Sequence, residues 1–270
     1  MPELPEVETV RAGLERILGS ASVIARITSS GAKLRRPLPR GLAQRFAGQP
    51  ISDVKRRAKY LLFTTPVGSL LSHLGMTGSW RLAPQGDDRP HDHVALFLTD
   101  GRRLVFRDPR RFGLVGFVPP DGRHPCLDGL GPEPLGPAFT AAYLTDRCHG
   151  RRTPIKVLIM DQAEVVGVGN IYAQEALFRA GISPRRQAGR IPRAALASLV
   201  DEIRAILAEA IAGGGTTIND YRQADGNSGW FQLDLSVYGR GGEACRTCSS
   251  TLKTAAIGGR TTAWCSVCQR

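Results

Sequence analysis

The spacing of apolar residues changes several times along this chain. Leu4, Val7, Val10, Leu14 and Ile17 recur at the interval that lines one helix face, and Gly19 is placed to stop that helix. From residue 21 to about 118 the pattern shortens to strand-like alternation. It predicts strands over Ser22–Thr28, Lys59–Thr64, Ser69–His73, Ser79–Leu82, Val94–Leu98 and Leu104–Arg107. The last two flank Thr99-Asp100-Gly101-Arg102, a hairpin signal. Residues 119–137 are rich in proline and glycine and read as a linker. Helical spacing then returns. Thr153-Pro154 reads as a cap and first turn for a short helix through Met160, and Asn170–Ala180 as a second, with Gly181 past its end. Leu196, Leu199, Val200, Ile203, Ile206, Leu207, Ala210 and Ile211 form the stripe of a third, ended by Gly213-Gly214-Gly215. The fold predicted is α+β: an antiparallel sandwich or barrel with one N-terminal helix over 1–118, then a linker and a helical region.

Charge adds a partner class. Lys and Arg number 36 against 24 Asp and Glu, a net of +12. Residues 31–60 hold nine of these cations (Lys33, Arg35, Arg36, Arg40, Arg45, Lys55, Arg56, Arg57 and Lys59) and one acid, Asp53. Such an excess suits a polyanion, since each phosphate neutralised releases condensed counterions; a merely basic surface is the plainer alternative. No apolar run is long enough to span a membrane, and the acidic first residues lack the basic start of a signal peptide. A cytoplasmic protein is expected.

The cysteines are more specific. Cys245 and Cys248 form one CxxC, Cys265 and Cys268 a second, with sixteen residues between the pairs. Two such knuckles on a hairpin supply four thiolates, the set for one closed, structural zinc ion. A thioredoxin-type redox pair would leave the other CxxC without a role. Cys126 and Cys148 have no match and read as ordinary buried or half-buried residues. Val165-Val166-Gly167-Val168-Gly169-Asn170 superficially resembles a dinucleotide fingerprint but lacks the third glycine and a preceding strand. A glycine turn feeding a helix suits one phosphate beside Arg151, Arg152 and Lys156; a tight helix–helix turn explains it equally well.

The opening, Met1-Pro2-Glu3-Leu4-Pro5-Glu6, has a plain reading as a helix start with proline and acids in its first turn. A methionine before a small residue is, however, normally trimmed, leaving Pro2 as a secondary amine. A free α-amine has a pKa near ~8, which a helix N-terminus lowers. Such an amine can attack a sugar carbon and form an iminium, as a Schiff-base lysine does, and Glu3 beside it can carry protons.

Several motifs occur in order. They are Pro2-Glu3-Leu4-Pro5-Glu6-Val7-Glu8-Thr9, Arg57-Ala58-Lys59-Tyr60, His73-Leu74-Gly75-Met76, Asp108-Pro109-Arg110-Arg111-Phe112-Gly113, Gly131-Pro132-Glu133-Pro134-Leu135, the Gly167–Asn170 turn and the four-cysteine tail. Together they closely resemble the bacterial formamidopyrimidine-DNA glycosylase family over essentially the whole chain. Leu4 separates the opening from that of the sister endonuclease VIII enzymes, which typically have glycine there.

The resemblance implies a two-lobed fold: an N-terminal β-sandwich over 1–118, a linker over 119–137, a helix–two-turn–helix domain over 138–235 and a β-hairpin zinc finger over 236–270. It implies a monomer on double-stranded DNA bearing oxidised purines or abasic sites, with one structural zinc. Pro2 would be the nucleophile at the sugar C1′, Glu3 the proton carrier, and Lys59 an aid to elimination. Asn170 and Arg260 would hold phosphates. Met76, Arg110 and Phe112 would fill the space left by the extruded nucleotide; on spacing alone, Met76 and Phe112 read as core. His73 would touch a phosphate, with a packed strand histidine the alternative. The polar loop 213–229 would cap the flipped base or else act as a spacer before the zinc finger. The rival functions are an endonuclease VIII-like enzyme for oxidised pyrimidines and a non-catalytic zinc-ribbon DNA binder.

Overall fold

The N-terminal stripe is helix α1, Leu4–Leu18, which buries Leu4, Val7, Val10, Leu14 and Leu18. Glu3 caps its start in a capping box with Glu6, and Gly19 turns the chain away with φ of 59°. The computed structural model describes residues 1–19, 22–214 and 235–270. Beyond Gly214, the expected capping loop 213–229 lies outside the described residues. Those residues form two compact units, Met1–Asp128 and Gly129–Gly213 with 235–270.

The first unit continues through β1 (Ile24–Ser29), a short helix α2 (Leu42–Phe46), β2 (Asp53–Arg57), β3 (Tyr60–Thr65), β4 (Gly68–His73) and β5 (Ser79–Ala83). It closes with β6 (Asp92–Leu98), β7 (Arg103–Arg107) and β8 (Leu114–Val118). Two antiparallel sheets result, in the orders β1-β6-β7-β5 and β2-β3-β4-β8. Their inner faces share one core with α1: Phe63 meets Trp80 with ring centroids 5.2 Å apart, and Trp80 meets Phe106 at 5.3 Å. The buried Trp80 indole N–H donates to Ser72 Oγ at 2.9 Å, so the ring is sheltered without an orphaned donor. The expected sandwich is therefore present. Its strands β2 and β8 and the helix α2 were absent from the sequence reading.

The second unit holds α3 (Ala141–Cys148), α4 (Ile155–Met160), α5 (Asn170–Arg179) and α6 (Arg193–Ala212), then the hairpin β9 (Lys253–Ile257) and β10 (Arg260–Trp264). The stripe of α6 is buried from Leu196 to Ala210, and α6 packs against α3 and α5. The turn between β9 and β10 is Gly258-Gly259, with φ of 60° and 70°, the two positive values a tight hairpin with natural twist requires. One expectation needs correction. Pro154, not Thr153, occupies the cap position of α4, because its extended backbone (ψ of 137°) stands just outside the helix. Helix α3 was not foreseen. No described helix is long and apolar enough to cross a membrane.

Candidate active site and nucleic-acid interface

In the first unit, the chemistry-bearing residues collect around the start of α1 and the β2–β3 turn. Pro2 and Glu3 are buried, while Met1 is 46% exposed. The Glu3 backbone N–H donates to Glu6 Oε2 at 2.8 Å, and the Glu3 carboxylate accepts from the Glu6 backbone N–H. The first turn thus fixes both the backbone and the side chain of Glu3. One turn on, Glu8 accepts from Arg11 Nε at 2.6 Å and Arg56 Nε at 2.8 Å, and Arg56 also donates to the Ala58 carbonyl at 3.0 Å. Glu8 and Arg56 therefore tie the helix to the two-residue turn Ala58-Lys59, where Ala58 takes a φ of 54°. Lys59, the second residue of that turn, is only 6% exposed.

His73 stands opposite Tyr60 in the β3–β4 register, its ring 4.9 Å from the tyrosine ring. Burial, followed by the positive fields of Arg35 and Lys59, lowers its pKa to about 4. Its Nδ1 accepts the Gly75 backbone N–H at 2.9 Å, so the neutral ring carries its proton on Nε2. Two turns follow in space. Met76 is 38% exposed on the first, and Phe112 is 48% exposed on the second with the Arg110 guanidinium 5.0 Å from its ring centre. Exposure alone does not mark them, since Leu82 and Val267 are 43% and 49% exposed; Met76 and Phe112 differ in standing on two adjoining turns.

The second unit is organised by buried polar groups. Lys156 has 0% exposure, and its ammonium donates to Asn170 Oδ1 at 2.6 Å and Thr262 Oγ1 at 2.7 Å. It is not a surface cation beside the glycine turn; it holds Asn170, the first residue of α5. Asn170 Nδ2 donates in turn to the Thr261 carbonyl at 3.2 Å. Gln174 completes the seam, accepting from Ala263 N–H at 2.7 Å and donating to the Asn170 carbonyl at 2.9 Å. Arg260 is exposed at the start of β10, within the hairpin this seam docks.

Beyond that hairpin, Cys245, Cys248, Cys265 and Cys268 bring their sulfurs within 4.8 Å of one another. Cys245 and Cys268 Sγ are 4.0 Å apart, and Cys248 and Cys265 Sγ 3.4 Å. A tetrahedral zinc with bonds near ~2.3 Å sets sulfurs about 3.8 Å apart, so four thiolates gathered this closely form a set that could hold one such ion. Cys148 is buried and Cys126 half-buried, neither in the cluster.

With that geometry in place, comparison with known proteins is decisive. Residues 1–115 match the formamidopyrimidine-DNA glycosylase N-terminal domain, and residues 130–222 match the formamidopyrimidine-DNA glycosylase H2TH domain. This chain belongs to the formamidopyrimidine-DNA glycosylase family. It is 52% identical to the enzyme of that name from Stenotrophomonas maltophilia over 272 residues, and 49% identical to the one from Bdellovibrio bacteriovorus over 270, covering 100% of each protein. Among solved structures it is similar to a Lactococcus lactis FPG variant in complex with a Fapy-dG containing DNA (TM-score 0.91, 33% identity, full coverage of both chains). It is also similar to the MutM (FPG) protein from Thermus thermophilus, with a TM-score of 0.87, 41% identity and coverage of 99% of this chain and 98% of that one.

Of the candidate site residues named from the sequence, Pro2, Glu3, Lys59, His73, Met76, Arg110 and Phe112 lie in the unit carrying the N-terminal domain match. Lys156, Asn170, Arg260 and the four cysteines lie in the other. Sequence reading missed the supports around them: Glu6, Glu8, Arg56, Gln174 and Asp108. Glu6 had a signal, since an acid three residues after a cap is the spacing of a capping box. The others meet partners far along the chain, such as the 48 residues between Glu8 and Arg56, and carry no local signature.

Proposed function

We propose that this protein excises oxidised purines such as 8-oxoguanine and formamidopyrimidines from double-stranded DNA and then cleaves the strand at the resulting abasic site. The observation that carries this reading is the family match over residues 1–115 and 130–222 joined to a Pro-Glu opening at the start of a helix that Glu8 and Arg56 tie to a lysine-bearing turn. Once Met1 is removed, the Pro2 nitrogen attacks C1′ of the lesion. The bond from C1′ to the base breaks, and the base leaves with a proton. Glu3 delivers a proton to the sugar ring oxygen as the ring opens, and the nitrogen lone pair forms the iminium. Loss of a C2′ proton, aided by Lys59, expels the 3′ phosphate, and a second elimination expels the 5′ phosphate.

A damaged base within a stack is out of reach, so the nucleotide has to leave the helix first. Phe112 and Met76 enter the vacated space as apolar wedges, and Arg110 donates to the orphaned partner base. Neutral His73 offers its Nε2–H to a phosphate. Asn170 and Arg260 grip the backbone, with Lys156 acting through Asn170, and these contacts carry no sequence information of their own. Cys245, Cys248, Cys265 and Cys268 would hold one zinc ion, which would supply folding energy to the tail rather than chemistry. The complexes of relatives support DNA as the partner: one is MutM with carbocyclic 8-oxo-G containing DNA.

The test is product analysis on a duplex with a single 8-oxoguanine. Met1-trimmed protein is expected to release the free base and leave phosphates at both ends of a one-nucleotide gap. Tight binding to the duplex with no base release would instead favour a non-catalytic DNA binder. A Lactococcus lactis relative solved with an oxidized pyrimidine containing DNA makes such a duplex the natural competitor substrate. Slower excision from it is expected.

A further inference from the structure

Asp108, at the head of the turn that carries Arg110 and Phe112, is fully buried. Its Oδ1 accepts the Thr77 hydroxyl at 2.8 Å, and its Oδ2 accepts the Gly113 backbone N–H at 2.7 Å. Its carbonyl accepts the Arg111 N–H at 3.2 Å and contacts His93 Nε2 at 3.0 Å, and its own N–H donates to the His91 carbonyl at 3.0 Å. One carboxylate therefore joins the turn bearing Met76, through Thr77, to the turn bearing Arg110 and Phe112, through Gly113. The two turns also touch backbone to backbone. A Cβ on Gly75, which has a φ of 65°, would lie 2.4 Å from the Phe112 carbonyl carbon and 2.5 Å from the Gly113 nitrogen.

We propose that Asp108 is a positioning residue that fixes Met76, Arg110 and Phe112 as one rigid wedge. The inference rests on the reading of those three as the residues that fill the opened stack. Their exposed side chains do little to hold their own turns, so stiffness has to come from beneath. Separating stacked bases costs a few kcal/mol per step. A compliant turn would bend under that load; one whose buried acceptors are all engaged transmits it.

Met1-trimmed enzyme bound to a duplex with 2-aminopurine beside 8-oxoguanine tests this, because the fluorescence rise reports unstacking. Asp108→Ala is expected to lose most of the rise and to slow single-turnover excision roughly 10- to 100-fold, the scale of the unstacking cost. Elimination at an abasic site in a single-stranded oligonucleotide, where there is no stack to open, should stay within about threefold of wild type, since no such cost arises there. Asp108→Asn should recover most of the rise, its oxygen accepting from Gly113 while its NH2 donates to the Thr77 hydroxyl. Thr77→Val keeps the shape but removes the hydroxyl that donates to Asp108 and accepts the Arg110 N–H at 3.4 Å, and should fall between wild type and Asp108→Ala. If Asp108→Ala fails to fold, Thr77→Val alone decides, and a wild-type rise overturns the proposal. Phe112→Ala separates the two readings. If it loses the rise while Thr77→Val and Asp108→Ala keep it, Asp108 has no positioning role. If Phe112→Ala also keeps it, the wedge reading falls and takes the inference with it. Equal slowing by Asp108→Ala on both substrates makes Asp108 a general fold element and likewise overturns the proposal.

Discussion

The two units hold their proposed DNA-contacting residues by opposite means. In the first, Met76 and Phe112 stand 38% and 48% exposed on turns secured from below by glycine contacts and a buried carboxylate. Presentation and support fall on different residues, so the tip of the turn can change without unfolding the sheet. In the second, Lys156, Asn170, Gln174 and Thr262 both dock the hairpin and set Asn170, the residue proposed to face a phosphate. Support and presentation coincide there, and damage to one is damage to the other. A buried polar seam of this kind is strong when satisfied and costly when one member is removed.

The largest effect should come from breaking the second unit at its metal site. Cys248→Ala, or extraction of the ion by a chelator, removes folding energy that for small four-thiolate modules reaches ~10 kcal/mol or more. Residues 236–270 are expected to lose protection from hydrogen exchange, and DNA affinity to collapse with them. The strands of the first unit should keep theirs. Loss of protection in both units together would erase the contrast.

A smaller effect, in the first unit, comes from acid. Folded His73 titrates near pH 4 against 6.5 for an ordinary histidine. Below pH 6.5 the unfolded chain takes up a proton that the folded ring refuses, so stability falls as pH drops toward 4 and this contribution then levels off. The loss from this one group is about 3 kcal/mol. Denaturant titrations of wild type and His73→Gln at pH 7 and pH 4.5 should show a shallower pH dependence in the variant. Equal slopes would mean that the folded ring takes up its proton as readily as the unfolded one by pH 4.5.

The smallest effect sharpens the role of Lys156. Lys156→Met should weaken DNA binding by about 1–2 kcal/mol through the misplaced Asn170. It should leave the salt dependence of binding unchanged, because a buried ammonium releases no counterion from DNA. Arg260→Ala, by contrast, should lower the slope of log K against log salt by about 0.9, the value for one phosphate contact. A reduced slope in Lys156→Met would return it to the phosphate-contacting cations.

These contrasts also mark where the sequence was legible. Helix α1 and its Gly19 stop, the 99–102 hairpin and the α6 stripe were readable because apolar spacing and turn residues agree locally. Strand β2 was missed because Asp53-Val54-Lys55-Arg56-Arg57 buries only Val54, so its cations read as surface charge. Strand β8, Leu114–Val118, was hidden by apolar residues on both faces and by Gly116 in its middle. The cysteine cluster was plain from spacing alone. Met76 and Phe112 were not, since an exposed apolar residue and a core residue look identical in a sequence. Only the resemblance singled them out. Asp108 was not legible either: its partner Thr77 lies 31 residues back, and an aspartate before a proline reads as an ordinary turn.

Covalent capture during turnover reaches the chemistry most directly. Borohydride reduces an iminium to a stable amine, freezing the protein onto the DNA sugar at the attacking nitrogen. Protein trimmed of Met1 should be trapped on 8-oxoguanine duplex in high yield, with the adduct mapped to Pro2 in the N-terminal peptide. Protein retaining Met1 should bind the duplex and give no adduct, because its Pro2 nitrogen is an amide. Efficient trapping with Met1 attached, or an adduct mapped to Lys59, would contradict the proline mechanism.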